Sequence, residues 1–295
     1  MLVTRFAPSP TGFLHLGSAY AALFAHDMAR AHDGRFVLRI EDIDATRCRP
    51  AFETAIYEDL RWLGLCWDGP AVRQSDRLLH YQAAIQRLDE LGLVYPCFCS
   101  RKEIAQEVAR SLSAPHGPDG PLYPGTCRSL TRREAGLRMR REAYALRLDV
   151  GKAALQSGVL AFDERGRGPR GEHGRIAAEP LRLGDIVLAS RDRAASYHLA
   201  VVVDDAAQGI SLVTRGHDLF AAAHVQRLLQ ALLNLPTPAY AHHDLVLDAA
   251  GRKFSKRDHG ATLRALRAEG QAPDEICNQL RRRAGAGLAR SLPGT

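Results

Sequence analysis

An eleven-residue loop, Pro8-Ser9-Pro10-Thr11-Gly12-Phe13-Leu14-His15-Leu16-Gly17-Ser18, stands between an alternating segment at 2–7 and a helical pattern running from Gly17 to about Ala31. Proline and glycine cannot continue a ladder or a helix freely, so a strand ends and a helix begins across it. A second apolar run, Phe36-Val37-Leu38-Arg39-Ile40, follows Gly34 and closes in the acidic Glu41-Asp42-Ile43-Asp44. Helical spacing returns at 51–64 and 76–92. Strand, helix, strand, helix within the first hundred residues predicts an α/β fold on a parallel sheet. In such a sheet the loop after a strand lies at the carboxyl edge, where these folds bind ligands.

The middle of the chain departs from that pattern. Residues 111–126 are rich in Ser, Pro and Gly, and 163–175 (DERGRGPRGEHGR) reads as a polar surface loop. Strands are expected near 185–190, 197–203 (YHLAVVV), 210–214 and 245–247, with a helix over 219–234 and weakly helical, basic residues to the end. The simplest division is a domain over 1–240, interrupted by an insertion at 97–180, and a tail at 241–295.

Apolar residues make up 46% and charged residues 25% of the 295, which fits a globular chain and excludes disordered, collagen-like and coiled-coil classes. No apolar run approaches a membrane span, and the N-terminus lacks a signal-peptide layout. Six cysteines make a poor disulfide framework at this length and fit a reducing compartment. The expectation is a soluble, cytoplasmic protein that meets no membrane. The formal charge of +7 favours a polyanionic partner. Only four of the forty basic residues are lysine (Lys102, Lys152, Lys253, Lys256), and two of these sit three apart in Lys253-Phe254-Ser255-Lys256-Arg257.

Three groups of residues carry chemistry. A helix start at Gly17 presents free N–H groups and partial positive charge, which suits a phosphate, and His15 can donate to a phosphate oxygen. Lysines three apart can both reach one triphosphate as point charges, with Ser255 adding a hydroxyl. Half of the cysteines, Cys97, Cys99 and Cys127, fall in one insertion. Zinc takes four ligands, and His116, Asp119 or Tyr123 stand near enough in sequence to complete the set.

Together, PSPTGFLHLGS near the start and KFSKR near the end resemble the paired signatures of the class I aminoacyl-tRNA synthetases. RFAPSPTGxLHxG followed by RIEDxD resembles the glutamyl branch in particular. The resemblance runs through most of residues 2–260. It implies a Rossmann-type catalytic fold that forms an aminoacyl-adenylate from ATP with Mg²⁺. His15, Gly17, Lys253 and Lys256 would be catalytic, with Ser18 and Ser255 also at the ATP. Arg5, Ala7, Ser9, Glu41, Tyr197 and Arg215 match that branch's glutamate pocket. CFCSRKEI with YPGTCR resembles its structural zinc site, which implies Cys97, Cys99, Tyr123 and Cys127 as ligands. Ser18 stands where the parent motif has histidine, Phe254 and Arg257 replace methionine and serine, and the Thr-Pro pair usual after Arg215-Gly216-His217-Asp218 is missing.

Thirty-eight residues follow Arg257. A separate anticodon-binding domain needs at least about 50, so none is expected, only a short helical segment. That arrangement resembles a truncated family within the glutamyl branch, the glutamyl-Q tRNA(Asp) synthetases. The implied partners are ATP, L-glutamate and tRNA(Asp) bearing queuosine, for a monomeric ligase that activates glutamate without tRNA and then transfers it to the queuosine base. A minimal glutamyl-tRNA synthetase, an adenylating ligase with another acceptor, and a silent zinc-containing RNA-binding paralogue are the alternatives.

Overall fold

Val3–Phe6 (β1) is buried along its whole length and Arg35–Ile40 (β2) along nearly all of it. Strands covered on both faces belong to a parallel sheet flanked by helices. The two pair in parallel with Thr4 opposite Phe36, and Leu16–Arg30 (α1) connects them, burying its alanine, leucine, Phe24 and Met28 face. Pro50–Trp62 (α2) starts on its proline, which supplies a pre-set helical φ. The short strand Val72–Arg73 (β3) then extends the sheet in parallel beyond β2, and Leu78–Glu90 (α3) follows. The computed structural model describes residues 1–110, 116–117, 120–247 and 262–288.

Val94–Cys97 (β4) and Arg101–Arg110 (α4) open the middle region. The two-residue strands His116–Gly117 (β5) and Gly120–Pro121 (β6) pair antiparallel. Arg132–Met139 (α5) is set by a reciprocal cap between Thr131 and Glu134. Ala145–Leu148 (β7) and Val150–Ser157 (α6) follow. Ala161–Glu164 (β8) and Gly174–Ala177 (β9) then form an antiparallel hairpin. The reading of 163–175 as a surface loop therefore needs correction at its ends, where 163–164 belong to β8 and 174–175 to β9; Glu164 is 1% exposed, and β8 joins the main sheet. Val187–Ser190 (β10) and β4 flank β7 in a separate antiparallel sheet.

The second half of the main sheet begins after Tyr197–Ala207 (α7), a helix where the sequence predicted a strand at 197–203. Ser196 caps it by accepting the Leu199 N–H, and burial of Leu199, Ala200, Val201, Val202, Asp204 and Asp205 overrides the strand preference of the valine run. Leu212–Gly216 (β11), Phe220–Leu232 (α8) and Ala239–His243 (β12) form a second parallel unit. The strand predicted at 245–247 thus lies earlier, at 239–243. β12 pairs in parallel with β8. The Ser211 N–H donates to the Val3 carbonyl at 3.0 Å and the Val3 N–H to Ser211 Oγ at 2.9 Å, which sets β1 alongside β11. The order is therefore β3-β2-β1-β11-β12-β8-β9, with the two halves meeting at β1 and β11.

Leu263–Ala268 (α9) and Pro273–Leu288 (α10) return to the first half. Ile276, Cys277 and Leu280 of α10 enter the core built on α1, β2 and α2, and Arg281 grips Asp27 of α1 at 2.7 and 3.0 Å. Among the described residues no helix is long and apolar enough to cross a membrane.

Candidate active site

A cleft of about 480 Å³ opens where β1, β11 and β12 end. Phe6 ending β1 with Pro8 and Ser9 beyond it, Gly216 ending β11 with Asp218 beyond it, and His243 ending β12 with Leu245 and Val246 beyond it line the cleft, opposite His15, Gly17 and Ser18. This is the point where strand order reverses, the place at which open α/β sheets take ligands. His15 caps α1 by accepting the Ser18 N–H on Nδ1 at 3.2 Å. The first turn of α1 holds no acidic residue of its own to offset its partial positive charge. A Cβ at Gly17 would stand 3.1 Å from two atoms of the His15 ring, so glycine keeps the imidazole folded over the helix start. The His15 backbone bridges Thr262, and Leu263 N–H donates to the Leu14 carbonyl at 2.8 Å. Lys253, Ser255 and Lys256 lie outside the described residues. The residues flanking that stretch sit by the cleft: Val246 on its wall and Thr262 against His15.

Beneath the cleft is a buried charge network. Arg5 on β1 donates from Nε to Asp205 at 3.0 Å and from NH1 to the Thr214 carbonyl at 3.0 Å. Arg39 on β2, with a fully buried side chain, donates to the same Asp205 oxygen and to Gln208 at 2.8 Å each. Glu41, tied to the first loop by its N–H on the Pro8 carbonyl, stands 3.5 Å from Arg39 NH2. Asp204 accepts from Arg77, Gln74 and Tyr81. Three guanidiniums and three carboxylates thus balance in one cluster. Burial pushes the Asp205 carboxyl upward, but Arg5 and Arg39 outweigh it and hold it below the usual range. At Glu41 burial prevails over Arg39 and Arg5, and its pKa is raised.

Arg215 on β11 differs. Its Nε donates to His242 at 3.0 Å, and its NH1 donates to Gln226 at 2.7 Å and to the Tyr197 hydroxyl at 3.4 Å. Its NH2 is buried without a hydrogen-bond partner, and among the described residues no carboxylate is within ion-pair distance. Tyr197, the first residue of α7, is 36% exposed. Ala7 is half-buried between β1 and the loop.

The cysteine cluster lies apart, below β4. The Sγ atoms of Cys97, Cys99 and Cys127 all fall within 4.8 Å of one another, and the Tyr123 hydroxyl is 3.7 Å from Cys99 Sγ. Tetrahedral zinc holds thiolates about 3.8 Å apart, so this donor set fits such an ion. The cluster can bind a metal.

Residues 1–289 match the model of the catalytic domain of class I tRNA synthetases (E and Q). The chain belongs to this family. It is a ligase of the class I type, similar to a Rhodobacter capsulatus protein named glutamyl-Q tRNA(Asp) synthetase, 52% identical over 93% of this chain and 98% of that one. A Nocardia farcinica protein of the same name is 45% identical over 92% of this chain and 81% of its own length. Among solved structures, a glutamate-tRNA synthetase from Elizabethkingia anophelis superposes with a TM-score of 0.76 at 27% identity. The chain spans 61% of that structure's length.

Within this synthetase fold the structure brings together His15, Gly17, Ser18 and Ser9 in the cleft, Arg5 with Glu41 through Arg39 and Asp205, and Arg215 with Tyr197. Sequence reasoning missed Arg39, Asp204, Asp205, Gln226, Glu164 and His242. The adjacent Asp204 and Asp205 carried a signal, since two carboxylates ending an apolar run demand buried partners. Glu164 carried none.

Proposed function

We propose that this synthetase activates L-glutamate with ATP to glutamyl-adenylate without tRNA, and then transfers the glutamate to the queuosine base of tRNA(Asp). The observation that carries the reading is Arg215: a buried guanidinium with, among the described residues, an unpartnered NH2 and no carboxylate beside it is a site prepared for an anionic ligand. Arg5, Ala7 and Ser9 are the proposed walls of the glutamate pocket. Glu41, its Oε1 buried without a hydrogen bond, is the proposed partner of the α-ammonium, and Tyr197 offers its hydroxyl beside Arg215.

The substrate carboxylate is itself the nucleophile, so no base is required. Its oxygen bonds to the α-phosphorus of ATP, the bond to the β-phosphate oxygen breaks, and pyrophosphate leaves. The chain's part is alignment and charge stabilisation by His15, the helix start at Gly17, Ser18, Ser255, Lys253 and Lys256. Mg²⁺, carried with ATP, supplies further neutralisation of the phosphates. Zinc held by Cys97, Cys99, Tyr123 and Cys127 is structural in this reading, and the protein acts as a monomer in the cytoplasm. The domain division proposed is 1–240, with 97–180 inserted, and 241–295.

The test has two steps. Glutamate-dependent ATP–pyrophosphate exchange without RNA is expected, and Lys256→Ala should depress it strongly in a folded protein. Labelled glutamate should then appear on tRNA(Asp) bearing queuosine and not on queuosine-free tRNA(Asp) or on tRNA(Glu). Label on tRNA(Glu) would instead identify a minimal glutamyl-tRNA synthetase, and no exchange would indicate a silent paralogue.

A further inference from the structure

We infer that Glu164 and His242 form a buried relay that fixes both the orientation and the hydrogen-bond polarity of Arg215, which makes them positioning residues for the substrate's side-chain carboxylate. The inference rests on the reading of Arg215 as the carboxylate-binding group.

The Leu219 carbonyl also faces the His242 ring, and it is the Arg215 contact that selects one arrangement of protons. Arginine donates and never accepts. Arg215 Nε faces His242 Nε2 at 3.0 Å, so that ring nitrogen must accept. The proton of the neutral imidazole is then on Nδ1, 2.5 Å from Glu164 Oε2, which accepts it. The other oxygen, Oε1, accepts the backbone N–H groups of His242 and Gly166 at 2.9 Å each. Burial raises the Glu164 carboxyl to about 7, but donors meet both of its oxygens, which is the demand of the ionised form. Glu164 and His242 have fully buried side chains. Burial lowers the affinity of the imidazole for a second proton, so it stays neutral.

The ring is clamped as well as bonded. Tyr240 lies parallel to it at 6.0 Å, tilted by 6°, and also stands 5.1 Å below the Arg215 guanidinium. Phe220 meets it edge-on at 5.0 Å. A side chain at 166 would overlap the His242 carbonyl oxygen, so the turn after Glu164 needs its glycine there.

A carboxylate placed directly on Arg215 would compensate its charge but occupy the face meant for substrate. The interposed imidazole keeps the counter-charge one residue away. It takes up Nε, while Gln226 takes up one N–H of NH1. Tyr197 accepts from NH1, which turns its own O–H outward as a donor. Among the described residues, what remains free is the NH2 pair and that hydroxyl, donors only. A carboxylate satisfies such a site and a carboxamide, with its own N–H groups, does not. The relay therefore bears on discrimination of glutamate from glutamine.

Glu164→Gln tests this with minimal change of shape. Its amide oxygen can keep both backbone N–H groups, which leaves its NH₂ facing His242 Nδ1. The ring must then carry its proton on Nε2, against the Arg215 Nε–H. In ATP–pyrophosphate exchange the KM for glutamate is expected to rise about tenfold or more with the KM for ATP unchanged, and the preference for glutamate over glutamine to shrink. Nitrogen-15 NMR of the histidine side chains, assigned by the signal lost in His242→Asn, should show Nδ1–H in the wild-type protein and Nε2–H in E164Q. Saturating glutamate, but not ATP, should shift the wild-type His242 signal. A wild-type Nε2–H tautomer overturns the relay, as does an E164Q KM for glutamate within about twofold of wild type. If the wild-type protein catalyses no glutamate-dependent exchange, the functional reading falls, while the tautomer still decides the relay. If E164Q does not fold, the wild-type tautomer and its response to glutamate decide the matter.

Discussion

Gly17 shows how one position couples the helix start to the cleft. The His15 ring lies where a Cβ at 17 would press at 3.1 Å, on the two ring atoms that include the acceptor of the Ser18 N–H. Gly17→Ala should push the imidazole off the helix and leave that N–H without its cap. The expected result is a KM for ATP raised about tenfold, with the KM for glutamate nearly unchanged, in exchange assays. An equal rise in both would place the defect in folding of the loop and not in the phosphate site. At this scale His15, Gly17, Arg5, Glu41 and Arg215 could be picked out because they stand in or beside short linear patterns. Arg39 and Glu164 could not, and Asp205 signalled only that it needs a buried partner, not which one. Arg39 reaches Asp205 across 166 positions and Glu164 reaches His242 across 78, and no local spacing encodes such a pairing. Only burial makes them necessary, since an unpaired charge at these depths costs several kcal/mol.

Elements were legible where period and punctuation agreed. α1, α2, α3 and α8 appear within a few residues of their expected spans because apolar spacing, proline or glycine and helix formers all point one way. α7 misled because Val201-Val202-Val203 reads as strand, while the deciding facts are the Ser196 cap and packing on all sides. The middle region poses a different question, namely what keeps so polar a stretch in shape. β4, β7 and β10 supply one short sheet, and the thiol cluster ties Cys97 and Cys99 at the end of β4 to the turn at Tyr123–Cys127. The Cys127 N–H donates to Tyr123 at 2.8 Å, and Arg147 of β7 covers the Tyr123 ring at 4.0 Å. If zinc is the tie, metal analysis of native protein should return about one zinc per chain. Cys127→Ser should lose it, and a strong chelator should speed hydrogen exchange at 95–99 and 123–130 while amides of β1, β2 and α1 stay protected. Zinc-free native protein, or uniform loss of protection, would contradict a local structural role.

For the molecule as a whole, two kinds of charge do different work. The guanidiniums of Arg5, Arg39 and Arg215 are buried and answered by carboxylates, a neutral imidazole or a prepared ligand face, so dissolved salt reaches them little. The excess that gives +7 is carried by the remaining surface, much of it arginine. A tRNA meets that surface by displacing counterions, and its affinity falls as a power of salt concentration. Glutamate and ATP are small, and in the function proposed they bind in the cleft at the strand ends, where fixed donors, and not a diffuse field, would set the affinity. The two activities should therefore separate in salt. Between 50 and 200 mM monovalent salt, tRNA binding should weaken by roughly a hundredfold if about four phosphates are neutralised. Over the same range, exchange with glutamate in the absence of RNA should change by less than about threefold. Filter binding and exchange assays run in matched buffers would measure both. Parallel loss of the two would mean that the field of the surface also governs the cleft, and that the buried network does not insulate it.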